Sequence, residues 1–103
     1  MPVLFDARNQ PDMSTISIRR PIHSRTEARN ALEHAAEAIA ERYDIEYQWE
    51  GDEIHFYRAG VDGTMRVDDD HVSIDARLGF LLAMMKGPIE QEIARQLDHY
   101  LDA

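Results

Sequence analysis

Four short segments between residues 45 and 77 alternate apolar and polar residues, and they constrain the fold more than any other feature. Such alternation is typical of β-strands that bury one face. The dipeptide Gly51-Asp52 predicts a two-residue hairpin turn of the Gly-first kind. Gly60 and Gly63 are predicted to bracket a second turn, and Asp68–Asp70 to form a third. Sequential strands with such short connections form an antiparallel meander.

One strand and one long helix are predicted before this meander. Residues 16–19 alternate isoleucine with polar residues, which is typical of a half-buried strand. Ser24 followed by Glu27 is a capping-box signature, in which the serine side chain accepts a hydrogen bond from the first turn of a helix. The helix should run to about Tyr43, because apolar residues recur at helical spacing up to that position.

Two helical segments are predicted after the meander. Leu78–Met85 is an uncharged run that we interpret as a short helix. Pro88 suits the first position of a final helix, where Glu90 and Glu92 would interact favourably with the helix dipole. The element order β-α-β-β-β-β-α-α predicts an α+β fold. It should be a two-layer sandwich, with an antiparallel meander sheet that carries its helices on one face.

The chain of 103 residues has the length of one domain. Residues 1–12 include two prolines and show no periodicity, so we expect a disordered N-terminal tail. Residues 13–103 should form a single α+β domain, and Met13 could serve as an alternative translation start. The first residues lack the basic and apolar regions of a signal peptide, so we expect no export.

The composition narrows the choice of partners. The formal net charge is −9, and residues 44–103 carry the excess of acids. Since an acidic surface repels phosphate groups, we expect no nucleic-acid partner and no attraction to anionic lipid. No apolar run approaches the roughly 20 residues of a membrane-spanning helix, which predicts no membrane insertion. The chain has no cysteine, and this suits a reducing cytoplasm.

The apolar run Leu78–Met85 has two interpretations. The first is that its side chains close one edge of the sandwich as part of the core. The second is that part of the run stays exposed and docks on an apolar surface, because methionine side chains adapt to irregular apolar partners. The predicted docking residues are Phe80, Leu81, Met84 and Met85.

Five stretches of this chain, in this order and spacing, resemble the polyhydroxyalkanoic acid system family, small bacterial proteins encoded beside genes for storage-polyester synthesis. The stretches span most of residues 13–101. They are ISIRRP at Ile16–Pro21 with His23, TEAR at Thr26–Arg29, YQWEGDEIHF at Tyr47–Phe56, GVDGTMRVDDDHVSID at Gly60–Asp75, and LGFLLAMMKGPIEQEI at Leu78–Ile93.

The resemblance implies a cytoplasmic accessory protein of polyhydroxyalkanoate storage, and it implies no established reaction. The partners that fit this role are the polyester granule, a granule protein or a second copy of the chain. On this interpretation we expect no catalytic residue, no cofactor and no metal.

A second hypothesis is a small-ligand binding module of the helix-grip type. A curved antiparallel sheet that grips a C-terminal helix can open a cavity between the two layers, and an acyl chain would suit such a cavity. The residues predicted to line it are Trp49, Phe56, Met65 and Leu97.

A third hypothesis is an enzyme that uses His55 and Tyr57, which share the outward face of one predicted strand. Arg66 and Arg77 could neighbour them across the sheet and complete a polar site. An ordinary polar sheet face with cross-strand charge pairs explains the same pattern. The acidic stretch Asp68–His71 is interpreted as a solvated turn and not as a metal site.

Overall fold

The structure is a computed structural model that describes residues 14–101. The predicted N-terminal tail, residues 1–12, lies outside the described residues, and so do Met13 and residues 102–103. The element order predicted from the sequence is confirmed within the described range. The elements are β1 (Ser14–Pro21), α1 (Arg25–Tyr43), β2 (Glu46–Glu50), β3 (Glu53–Arg58), β4 (Val61–Val67), β5 (His71–Leu78), a 3₁₀ helix (Phe80–Met85) and α2 (Lys86–Leu101).

The strands described form one antiparallel sheet in the order β1-β5-β4-β3-β2. The predicted meander from β2 to β5 is therefore confirmed. β1 pairs with β5, with Ile16 opposite Ala76 and Ile18 opposite Ile74, so β1 and β2 form the two edges. α1 consequently crosses the whole sheet, from one edge to the other.

Both α-helices cover the same face of the sheet, which confirms the predicted α+β two-layer sandwich. α1 presents alanines to the sheet, among them Ala28, Ala31 and Ala35, and all three are fully buried. Small side chains let the helix approach the strands closely, while larger side chains such as Phe56 and Met65 rise from the sheet to fill the layer. None of the helices within residues 14–101 is long and apolar enough to cross a membrane.

The start of α1 is as predicted, and the start of α2 is not. The Ser24 side chain accepts a hydrogen bond from the Glu27 N–H at 3.2 Å. α2 begins at Lys86, so Pro88 is its third residue, where the missing N–H still costs no intrahelical hydrogen bond. Glu90 and Glu92 consequently lie beyond the first turn, and the predicted dipole interaction is wrong.

Gly63 lies inside β4 and not at the end of a turn, which corrects the predicted second turn. The turn consists of Ala59 and Gly60, and β4 begins at the next residue. A Cβ atom on Gly63 would lie 2.4 Å from Cζ of Phe56 and 2.9 Å from Cβ of Ala76. The glycine is therefore required by the aromatic ring that packs over the strand.

Polar contacts fasten the β2–β3 hairpin to one row of α1, in which residues follow one another at intervals of four. Arg25 and Arg29 both pair with Asp52 in the hairpin turn. Arg29 also donates to the Gly51 carbonyl at 2.9 Å, and its guanidinium carbon lies 4.2 Å from the centre of the Trp49 ring. These contacts hold the edge hairpin against the helix layer.

Glu33 continues this row and binds the edge strand directly. Its two carboxylate oxygens accept hydrogen bonds from the Tyr47 hydroxyl and the Trp49 indole N–H, each at 2.7 Å. Burial, followed by the hydrogen bond to Glu33, raises the pKa of Tyr47 to about 12. Tyr47 and Trp49 are both half-buried and pack against the core.

Adding one methyl group at Gly63 should destabilise the protein, because the Phe56 ring has no room to move away. We expect Gly63→Ala to lower the free energy of unfolding by about 1–3 kcal/mol, measured by urea denaturation followed by circular dichroism. Gly87→Ala is the matched control, since a Cβ atom there meets nothing within 4 Å. The packing account fails if the two variants unfold at the same urea concentration.

The contact of Tyr47 with Glu33 should make stability fall at high pH. A tyrosine in the unfolded chain ionises near its usual pKa of about 10, before the folded one does. The free energy of unfolding should therefore fall between about pH 10 and about pH 12, and Tyr47→Phe should lack this part of the fall.

The same variant should cost about 1–2 kcal/mol at pH 7, because it removes a hydrogen bond to a carboxylate. Tyr57→Phe is the control, since the Tyr57 side chain is 46% exposed. Urea denaturation at several pH values measures both effects. If the free energies of unfolding of wild type and Tyr47→Phe fell in parallel above pH 10, the fall could not be assigned to Tyr47.

Candidate functional site

A close contact between two loops fixes the position of the 3₁₀ helix. The Gly79 N–H donates to the Gly60 carbonyl at 2.8 Å, and the Leu82 N–H donates to the Gly79 carbonyl at 3.0 Å. Gly60 has a φ of +88°, and a Cβ atom there would lie 3.0 Å from Cδ1 of Leu82. The β3–β4 turn thus requires glycine both for its backbone conformation and for the approach of Leu82.

The three-residue period of the 3₁₀ helix separates its side chains into rows, because residues three apart eclipse one another. Leu81 and Met84 form the outward row and are 84% and 83% exposed, and Phe80 beside them is 69% exposed. Leu82 and Met85 form the inward row and pack, half-buried, against the core. We call Phe80, Leu81 and Met84 the apolar patch.

The interpretation of the whole run Leu78–Met85 as core is therefore wrong for the three patch residues. Leu78 ends β5 and is fully buried, and the 3₁₀ helix begins two residues later. Met85, the fourth predicted docking residue, lies on the inward row. The docking role itself stays a prediction.

A pocket of about 280 Å³ adjoins the inward row of the 3₁₀ helix. It lies between the end of α1, the β3–β4 turn and the first turns of α2. Its apolar lining comprises Ile45, Val61, Leu82, Met85 and Ile89.

None of the four residues predicted to line a cavity contributes to this pocket. Phe56, Met65 and Leu97 are at most 1% exposed, and they pack in the core between the layers. Trp49 is half-buried on the edge strand, where Glu33 holds its indole N–H. The structure thus places an apolar pocket at the end of the sandwich, beyond the residues that the sequence indicated.

The four residues of the predicted polar site lie on the outward face, each next to a carboxylate. His55 Nε2 is 3.2 Å from an oxygen of Glu53, which also accepts a hydrogen bond from Arg66 Nε at 2.8 Å. Asp62 on β4 lies between Arg77 on β5 and Tyr57 on β3, and Nη2 of Arg77 is 3.4 Å from Oδ2 of Asp62. The pattern is that of cross-strand charge pairs on a sheet face.

The acidic stretch Asp68–Asp70 forms the predicted turn between β4 and β5, and its carboxylates contact basic side chains of the chain. Asp69 pairs with Arg25 at 3.3 Å, and Asp70 pairs with His71 Nδ1 at 2.8 Å. The hydrogen bond to His71 lowers the pKa of Asp70. Within the described range 14–101, no group of three or more histidine or acidic side chains has a geometry that could hold a metal ion.

Glu92 is a buried carboxylate that belongs to none of the sites predicted from the sequence. It is 6% exposed, on the side of α2 that faces α1. It accepts hydrogen bonds from Gln96 at 2.9 Å and from Arg95, and Arg42 of α1 lies 3.4 Å away. The bond from Gln96, followed by those of the arginines, lowers the pKa of Glu92 despite its burial.

Arg42, whose Nη1 lies 3.4 Å from Glu92, also lines the pocket. The spacing of Glu92, Arg95 and Gln96 at intervals of three and four is the one signal that could have indicated the cluster, because residues so spaced are neighbours on a helix.

The fold and this site together define a small α+β domain with an exposed apolar patch and an apolar pocket at one end of the sandwich. The model of the family described as "Putative polyhydroxyalkanoic acid system protein" matches residues 16–101, and the chain belongs to this family. The resemblance found in the sequence is thereby confirmed. Comparisons with curated proteins and with solved structures give no match.

The Glu92 cluster should stabilise the protein at neutral pH and less so in acid. Because the native pKa is lowered, this stabilisation is present above about pH 4.5 and is lost as the pH falls through the native pKa. We expect Glu92→Gln to lower the free energy of unfolding at pH 7 by about 1–3 kcal/mol and to remove part of its fall below pH 4.5.

Urea denaturation between about pH 3 and about pH 7 measures both effects. Glu41→Gln, an exposed position on α1, is the control that should leave the curve unchanged. If the free energy of unfolding depended on pH equally in Glu92→Gln and wild type, Glu92 would not be the cause of the loss of stability in acid.

Proposed function

We propose that this protein is a non-catalytic accessory of polyhydroxyalkanoate metabolism that docks on the polyester of storage granules through the apolar patch. The observation that carries the proposal is the exposure of Phe80, Leu81 and Met84, three adjacent large apolar side chains at 69–84%. Membership of the polyhydroxyalkanoic acid system family supports the choice of a polyester as the occupant. The proposed location is the cytoplasm, at the granule surface.

The patch is large enough to bind an apolar surface reversibly. Full burial of one such side chain stabilises by roughly 1.5–3 kcal/mol, so the three together contribute at most roughly 4.5–9 kcal/mol before the cost of association. A flexible methionine beside the ring of Phe80 can follow an irregular polymer surface. The inward residue Leu82 anchors the helix, so the patch is presented on a fixed support.

The charge of the chain favours an uncharged polyester over a lipid surface. Helices that adsorb to membranes carry a basic face opposite the apolar one, and this attracts anionic lipid. Here the 3₁₀ helix that bears the patch contains no charged residue, and the formal net charge of the chain is −9. A polyester surface offers apolar and ester groups and needs no basic face.

Co-sedimentation with isolated polyester granules tests the proposal. The variant Leu81→Asp/Met84→Asp should fold like wild type, because both side chains are exposed. Its bound fraction should fall about tenfold or more, because two charges replace the apolar contact. Gln48→Asp/Gln91→Asp adds the same charge at two other exposed positions and should bind like wild type.

Two further measurements separate the polyester from the other partners. Protein-free polyester particles should bind the chain as well as native granules do; binding to native granules alone would identify a granule protein as the partner. Light scattering after size exclusion should give the same mass for wild type and the double Asp variant, whereas a wild-type dimer that becomes a monomer would identify a second copy. Either alternative result, or wild type that stays in the supernatant, overturns the proposal.

A further inference from the structure

The pocket beside the apolar patch combines an apolar floor with cationic groups at its rim. Ile45, Val61 and Ile89 are at most 6% exposed and form the floor, and Leu82 and Met85 of the 3₁₀ helix add one wall. The volume of about 280 Å³ lies just below the range of small-molecule sites, which span roughly 300–1,000 Å³. This size fits the end of an aliphatic chain.

Two arginines stand at the rim, and each keeps donors for a ligand. Arg58 uses Nη1 to donate to the Tyr43 carbonyl at 2.7 Å, and Arg42 approaches Glu92 with Nη1 at 3.4 Å. A guanidinium has five N–H donors, so one such contact leaves most of them available. Glu92 accepts closer hydrogen bonds from Arg95 and Gln96, so its hold on Arg42 is weak.

Asp44 contributes the one carboxylate among the residues that line this pocket. It ends α1 in a left-handed conformation, with a φ of 59°, and its side chain is exposed. The rim therefore carries two positive charges and one negative charge. In a chain of net charge −9, this local excess of positive charge favours an anion with a single negative charge.

We infer that the pocket binds an aliphatic monocarboxylate, with the hydrocarbon on the Ile45–Val61–Ile89 floor and the carboxylate between Arg42 and Arg58. Two sources present this chemistry: a free hydroxyalkanoate, and the carboxyl end of a polyester chain. The assignment to the carboxyl end of a polyester chain rests on the proposed function. Leu82 and Met85 of the pocket wall lie on the 3₁₀ helix that bears the apolar patch, so docking of the patch on polyester would bring the pocket to the polymer. The carboxylate site itself rests on the pocket alone.

Titration of the full chain with octanoate, followed by two-dimensional amide NMR, tests the site. Saturable shifts should appear at Ile45, Val61, Met85 and Ile89. Octanol has the same hydrocarbon and no charge, and its affinity should be lower by at least about tenfold. This comparison changes no residue, so it does not depend on the folding of a variant.

Variants then assign the charged groups. Arg42→Gln and Arg58→Gln should each weaken octanoate binding about tenfold, while Asp44→Asn should strengthen it because it removes the opposing charge. Arg77→Gln, on the outward sheet face, is the control and should not change the affinity. Shifts elsewhere, equal binding of octanol, or unchanged affinity in both arginine variants would each overturn the inference.

The two sources are distinguished with a short 3-hydroxybutyrate oligomer, its methyl ester and free 3-hydroxyoctanoate. Binding of the oligomer acid but not of its ester identifies the chain end, and binding of the free acid alone identifies a soluble hydroxyalkanoate. Neither experiment uses granules. Loss of octanoate binding with retained granule binding therefore refutes only this inference, and the reverse result refutes only the proposed function.

Discussion

The contact between Gly60 and Leu82 determines both features to which we assign a function. The hydrogen bond from Gly79 to the Gly60 carbonyl ends β5 beside the β3–β4 turn, and Leu82 then packs where a side chain on Gly60 would lie. Once Leu82 is inward, the three-residue period places Met85 inward as well and turns Leu81 and Met84 to solvent. The patch and the wall of the pocket are thus opposite sides of one short helix.

The two ends of the sandwich differ in chemistry. At the end where α1 begins, Arg25 joins the turns at Asp52 and Asp69 in a set of charge pairs. At the end where α1 stops, apolar side chains of the 3₁₀ helix remain in water, and the pocket opens beside them. The end that bears the apolar patch can adsorb to an apolar surface while the charge pairs at the opposite end stay hydrated.

The sequence predicts those elements of the fold that are determined by residues close together in the chain. The alternation in β2–β5 and the Ser24 cap depend on neighbouring residues, and both are confirmed. The pairing of β1 with β5 depends on residues about 60 positions apart, so no local pattern could indicate it. The sequence wrongly predicts a turn at Gly63, because the residue that requires this glycine, Phe56, lies on another strand.

The same limit explains why the apolar run had two interpretations. Six residues of 3₁₀ helix complete only two turns, too few for a periodic pattern to show which row is buried. That choice is made by Gly60, some twenty positions earlier, through its contact with Leu82. The pocket is equally non-local, because its floor comes from the residue before β2, from β4 and from α2, and its arginines come from α1 and β3. The grouping of the two arginines at the pocket and the exposure of the patch residues therefore depend on tertiary contacts between the end of α1, the β3–β4 turn and the 3₁₀ helix.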